Sequence, residues 1–299
     1  LKEIDLKQAR LGYLYVSLAA ILFAISGTSA KYLFNDGITA FQLIQMRTTL
    51  AFAGLLIWLC LKDPVLLKIS IKSLPYFIGL GVFGIGSAQF FYLLAISKIN
   101  VAAAILLHYT GPVFVALYVV FVQRQKLRFN IALAILGTLI GCFLVVGAYN
   151  LQIFALNRVG IIAGILAAVS FAVYSILSEY GMRRYTPWTV LLYGLLFAAL
   201  MWNSLHPPLE AFLHRYSPFQ WGLILFIGIC GTIFPFGLYF EGIKRIKPTH
   251  ASITATLEPI SAGVIAAVFL GEVMVTLQII GGFIVILSII ILQLNTADN

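Results

Sequence analysis

Ten long apolar runs, parted by short polar stretches, govern what this chain can fold into. They cover residues 11–34, 40–61, 74–96, 101–122, 130–148, 159–180, 187–205, 220–243, 249–270 and 275–294. A helix of about 20 apolar residues crosses the hydrocarbon layer of a bilayer, and every run is close to that length or longer. The runs are about twice as long as barrel strands, and lipid offers no water to unpaired backbone groups, so helices are expected rather than separate strands. With 62% hydrophobic and 10% charged residues among 299, the chain carries more apolar surface than a soluble globule of about 45–50% apolar residues hides inside itself. The missing partner is lipid. The fold class expected is all-α, a polytopic membrane protein with ten transmembrane helices.

The opening LKEIDLKQAR, residues 1–10, is a mixed-charge segment expected on the cytoplasmic side. The run after it exceeds twenty residues, too long for a signal-peptide core of about 7–15, and no A-x-A cleavage pattern follows, so it is expected to remain as a helix. The stretch HPPLEAFLHRYSP, 206–218, reads as a loop between spans.

Lysine and arginine orient the spans. Lys2, Lys7 and Arg10, then Lys62, Lys68 and Lys72, then Arg124, Lys126 and Arg128, then Arg183 and Arg184, then Lys244, Arg245 and Lys247 fall on one side, fourteen of nineteen. Lys31, Lys98, Arg158 and Arg215 fall on the other, and Arg47 lies inside the second run. By the positive-inside rule the basic side faces the cytoplasm, with both termini, and the setting expected is the cell membrane. The net charge of +9 is therefore a topology signal. Nucleic-acid binding would need those charges on one soluble basic face, and none exists.

An internal repeat adds a mechanism. A shift of 147 residues aligns 81–112 with 228–259 without a gap, matching Gly81, Gly84, Tyr92, Ile96, Ile99, Ala104 and Pro112 to Gly228, Gly231, Tyr239, Ile243, Ile246, Ala251 and Pro259. A shift of 148 aligns 12–24 with 160–172. The organisation expected is a segment 1–10, a first five-helix repeat 11–148, a linker 149–158, a second repeat 159–294 and a tail 295–299. Five is odd, so the second repeat enters the membrane inverted. Two such bundles can rock between outward-open and inward-open shapes about a solute site where they meet, which is alternating access.

The run LEPISAGVIAAVFLGE (257–272), the LAAILFA opening of the first run, the MRTTLAF stretch of the second and the five-plus-five layout resemble the EamA type of the drug/metabolite transporter superfamily. The resemblance covers nearly the whole chain. It implies ten helices and movement of small metabolites. Glu258-Pro259 and Gly271-Glu272 occupy the family's Glu-Pro and Gly-Glu positions, whereas Gly111 and Gln125 stand where the first repeat would carry the two acids, and Phe23 stands where many members carry Trp.

Glu258 is the conspicuous polar residue. A carboxylate at mid-bilayer costs about 2.5–3.5 kcal/mol on insertion scales, and a helix begun near Thr249 puts Glu258 roughly 13 Å deep. It reads either as a proton or cation site that biases the rocking, or as a hydrogen-bonding part beside a bend at Pro259. His108 and Tyr109 precede Pro112 by about one turn and read as cavity residues in the outer half. Arg47 reads as an anion anchor or, with more weight, an interhelical hydrogen-bond donor. Gln89 and Tyr92 share one face, as do Ser170, Tyr174 and Ser178; the serines read as packing, and Gln89, Tyr92 and Tyr174 as cavity candidates. Glu258, Pro259 and Pro112 are the coupling or gating candidates.

GLGVFG (79–84) satisfies G-x-G-x-x-G, but inside a helix and without a following acid it reads as close packing. Cys60, Cys142 and Cys230 read as single buried thiols with no metal or disulfide pattern. No catalytic set, metal or cofactor is expected. The expected function is secondary transport, as an exporter, of a small organic metabolite; a polar and aromatic cavity favours an amino-acid-like solute. Protons are the coupling ion considered, and lipid is the other partner. The rivals are a lipid-linked sugar flippase and an intramembrane enzyme using His108 and Glu258, which the same reading places in opposite bilayer halves.

Overall fold

The computed structural model describes residues 6–99, 101–146, 148, 157–205, 207–270 and 275–297. The described residues form helices and turns, with no strand among them. In chain order the helices are α1 (Leu6–Asn35), α2 (Ala40–Lys62), α3 (Leu74–Gly79), α4 (Ser87–Lys98), α5 (Val101–His108), α6 (Gly111–Leu117), α7 (Phe129–Val145), α8 (Arg158–Met182), α9 (Pro187–Leu205), α10 (Pro218–Gly228), α11 (Phe234–Thr254), α12 (Leu257–Leu270) and α13 (Thr276–Ala297). Among the described residues, seven helical stretches are long and apolar enough to cross a membrane, and Phe129–Val145 and Thr276–Ile291 are shorter apolar helices.

Several runs are divided where the sequence reads as continuous. The third passes from α3 to α4 through a π-helical segment, Leu80–Gly86, and α10 joins α11 through another, Ile229–Ile233. Glycine marks both, and a wider turn frees backbone carbonyls that a regular ladder would use. The GLGVFG stretch is thus helical. Helical bonding continues from Pro218 to Thr254, but Lys247, with φ +69° and ψ 160°, kinks the chain directly before Pro248. The residue ahead of a proline is driven out of the α region, which fits a break here, and Lys247 leaves it with a positive φ.

Capping residues fix other ends. Thr39 and Ser217 form capping boxes with Gln42 and Gln220 at the starts of α2 and α10, filling donors that a helix start leaves open. Tyr185 ties the segment after α2 to the start of α9: its hydroxyl accepts from Ser70 N at 3.1 Å and lies 2.8 Å from Ser73 Oγ.

Packing follows a regular scheme in which α1 lies on α11, α8 on α4, α2 on α9, and α7 on α13. Close approach needs glycine at specific points. A Cβ on Gly12 would lie 2.7 Å from Ile246, and one on Gly160 would overlap Ile99. Cys142 is buried, whereas Cys60 is exposed on α2, against the expectation of burial. Residues 1–5, 149–156 and 298–299, and with them most of the expected linker, lie outside the described residues, as do Gly271 and Glu272.

Candidate solute cavity

Two helix interruptions build the site. Helix α5 stops at His108 and α6 begins at Gly111; α11 stops at Thr254 and α12 begins at Leu257. Pro112 and Pro259 stand in the first turns of α6 and α12. A proline ring collides with the carbonyl four residues back, here residues 108 and 255, so the hydrogen-bond ladder fails at those points. Within a first turn its missing N–H costs nothing. Hydroxyls assist the break: Thr110 Oγ1 donates to Leu107 O at 2.7 Å and Thr256 Oγ1 to Ile253 O at 2.6 Å, taking carbonyls from the helix.

Glu258 is consequently not in a helix middle, as the sequence reading had it, but in the first turn of α12. Unpaired N–H groups and the positive end of the helix dipole favour a carboxylate there. Its two oxygens are held from the other half of the chain. Tyr92 Oη donates to Oε1 at 3.1 Å and Tyr109 Oη donates to Oε2 at 2.5 Å.

The cavity beside Glu258 is lined by all six expected cavity residues, Arg47, Gln89, Tyr92, His108, Tyr109 and Tyr174. His108 and Glu258 therefore line one cavity, and the expectation that the two stand apart is corrected. Counting along unbroken helices keeps the two apart, whereas each adjoins a helix break that opens on the same space. Pro112 and Pro259 are buried but do not line it; they set the breaks.

Arg47 spans the halves too. Its Nε donates to Thr232 Oγ1 at 2.7 Å and its Nη2 to Gly231 O at 3.0 Å. Both acceptors belong to the π-helical segment Ile229–Ile233, so Arg47 makes the interhelical hydrogen bonds expected of it. Aromatic rings make the rest of the wall. The His108 ring centroid lies 4.9 Å from that of Tyr92 and 5.2 Å from that of Phe171, and Tyr174 lies 5.5 Å from Phe236. On α8, Ser178 Oγ donates to Ser175 O, and neither Ser170 nor Ser178 lines the cavity.

Phe23, Ser26, Phe171 and Phe236 line the cavity as well and were missed as site residues. Periodicity assigns them to apolar packing, although the match of Ser26 to Tyr174 at the 148-residue shift could have singled out Ser26. Glycines let these residues reach the space. A Cβ on Gly84 would lie 2.9 Å from Tyr174 Cβ, and one on Gly231 would lie 2.8 Å from Ser26 Cβ. Among the described residues, no three His, Cys, Asp or Glu gather as a metal site.

A solved crystal structure shares this fold, with a TM-score of 0.77 at 20% identity over 98% of each chain. In sequence, the chain is 30% identical over 285 residues to an uncharacterized transporter of Archaeoglobus fulgidus, covering 94% of this chain and 96% of that one. It is 26% identical over 268 residues to the threonine/homoserine exporter RhtA of Escherichia coli K12, covering 88% and 81%. The EamA-like transporter family matches twice, over residues 10–147 and again over 158–294. A multi-pass helical chain matched by that family along almost its whole length, with transporters among its relatives, belongs to the EamA-like transporter family.

Proposed function

We propose that this chain is a secondary transporter that moves a small, amino-acid-like solute out of the cell by alternating access, with both termini in the cytoplasm and protons as coupling ion. The observation that carries the reading is the grip on Glu258: a carboxylate of the second half, at the wall of a cavity, held by Tyr92 and Tyr109 of the first. Whatever competes for that carboxylate, proton or solute, acts on the seam between the halves. Solute binding between two rocking bundles is the geometry that secondary transport uses.

Two inverted five-helix repeats with ten spans are supported by three observations. The family matches each half separately. Packing partners exchange halves in pairs, α1 with α11 and α8 with α4. The close contacts repeat as well, Gly12 with Ile246 and Gly160 with Ile99. The relative that exports threonine and homoserine supports an amino-acid solute and the outward direction. The names of the relatives favour transport over an intramembrane enzyme, even though His108 and Glu258 share a cavity.

The test is flux in liposomes. Purified protein reconstituted into vesicles loaded with radiolabelled L-threonine is expected to release it unchanged, and faster with an inward proton gradient on the outside. Release no faster than from protein-free vesicles across a panel of amino acids refutes the reading; chemical conversion would favour the enzyme, and movement of labelled lipid the flippase.

A further inference from the structure

The two charged residues of the cavity are occupied by the protein itself, as are the phenols of Tyr92 and Tyr109, whereas atoms on three other polar side chains are not. Glu258 accepts one phenol on each oxygen, and Arg47 spends Nε and Nη2 on Thr232 and Gly231. By contrast, Gln89 Oε1, Gln89 Nε2, Ser26 Oγ and His108 Nδ1 are buried without a hydrogen-bond partner. Gln89 is 4% exposed and Ser26 1%. All three side chains line the one cavity. Folded proteins keep few such atoms, and a set of four around one cavity calls for an explanation.

Their chemistry defines what would satisfy them. A primary amide offers two donors and an acceptor, a serine hydroxyl offers one donor and accepts as well, and a histidine Nδ1 serves as either according to tautomer. The matching group is neutral, small and able both to donate and to accept: a hydroxyl or a carboxamide. The aromatic walls, with Phe171 and Tyr92 against His108, admit a short carbon skeleton beside it. A site built to hydrogen-bond such a group rejects the analogue that lacks it far more strongly than an apolar pocket rejects an added hydroxyl.

We infer that Gln89, Ser26 and His108 form the selectivity site of this transporter, reading a hydroxyl or carboxamide on the solute, while Arg47 and the Tyr92–Glu258–Tyr109 clasp join the two halves. The inference rests on the transport reading of the same cavity. It adds which residues choose the solute, and by which functional group.

Matched solutes test it. L-threonine is compared with L-valine, and L-glutamine with L-methionine, by flux in proteoliposomes and by the shift each gives in the melting temperature of the detergent-purified full chain. The parent is expected to favour the polar member of at least one pair by about tenfold, the value of one well-made hydrogen bond. Gln89→Leu is expected to bring that ratio to within about threefold of unity, with Ser26→Ala lowering it less. Because the Gln89 amide has no protein partner, the unliganded Gln89→Leu protein is expected to melt at or above the parent temperature. A lower melting temperature with an unchanged ratio would make Gln89 structural and overturn the inference. Equal flux of both members of each pair overturns the selectivity site and leaves transport standing. Selective stabilisation without flux does the reverse, and neither flux nor stabilisation by any of the four solutes overturns both.

Discussion

Tyr109 and Glu258 stand 149 positions apart in the chain, and the tyrosine hydroxyl lies 2.5 Å from the glutamate Oε2. The contact joins the end of one broken helix to the beginning of another, and each break lies just ahead of a proline. A carboxylate that would be expensive inside an intact membrane helix becomes tolerable at a half-helix start with two phenol donors. It also becomes available for exchange, because its partners belong to the other half of the molecule.

Removing one donor tests the clasp. Tyr109→Phe keeps the ring and deletes the hydroxyl, leaving Glu258 Oε2 unpaired in a buried wall. The expected loss is about 1–3 kcal/mol of stability, read as a lower melting temperature that the further change Glu258→Leu partly reverses. An unchanged melting temperature would show that the bond contributes nothing.

Glu258→Gln keeps the shape of the side chain and removes its proton. If protons couple through this group, the variant is expected to lose the response of flux to a pH gradient while solute exchange at equal pH persists. Gradient dependence identical to that of the parent would exclude Glu258 as the coupling site.

Arg47→Lys keeps the charge but loses the planar fork that reaches Thr232 Oγ1 and Gly231 O together. A cost of about 1.5–3 kcal/mol is expected. Thr232→Val should cost less, since Gly231 O remains. Full stability in the lysine variant would contradict the bridging role.

Gly231→Ala places a methyl 2.5 Å from Ser26 Oγ and 2.8 Å from its Cβ. Overpacking of this kind costs about 1–3 kcal/mol, and Ser26→Gly in the same chain is expected to restore much of it. Strictly additive losses would mean that the two residues do not meet.

Much of this arrangement can be read from the residues. Hydropathy sums locate the apolar runs, because burying a run in lipid depends on its total and not on its details. The same sums are blind to a ladder that breaks within a run, so the gaps at 109–110 and 255–256 and the π-helical segments Leu80–Gly86, Tyr118–Val122 and Ile229–Ile233 do not register. The rule that a proline clashes four residues back could have found both gaps from Pro112 and Pro259, and would have put His108 and Glu258 each beside a helix break. Arg47, Gln89, Tyr92, His108, Tyr109 and Tyr174 stand out because polar and amphipathic side chains are scarce in lipid. Their pairing does not, since Tyr92 and Tyr109 meet Glu258 only after α4 and the break between α5 and α6 come together with the start of α12. Phe23, Phe171 and Phe236 carry no polar signal, and their place in the cavity wall follows from packing alone.

Accessibility of the cavity from both membrane faces tests alternating access most directly. Ala88 lines the cavity without a polar role, so Ala88→Cys can be placed in a chain whose Cys60, Cys142 and Cys230 have been replaced. A small membrane-impermeant thiol reagent is then applied to right-side-out and to inverted vesicles. Labelling from either face, slowed by transported solute in both, is the predicted result; labelling from one face alone under every gradient and solute condition would contradict it.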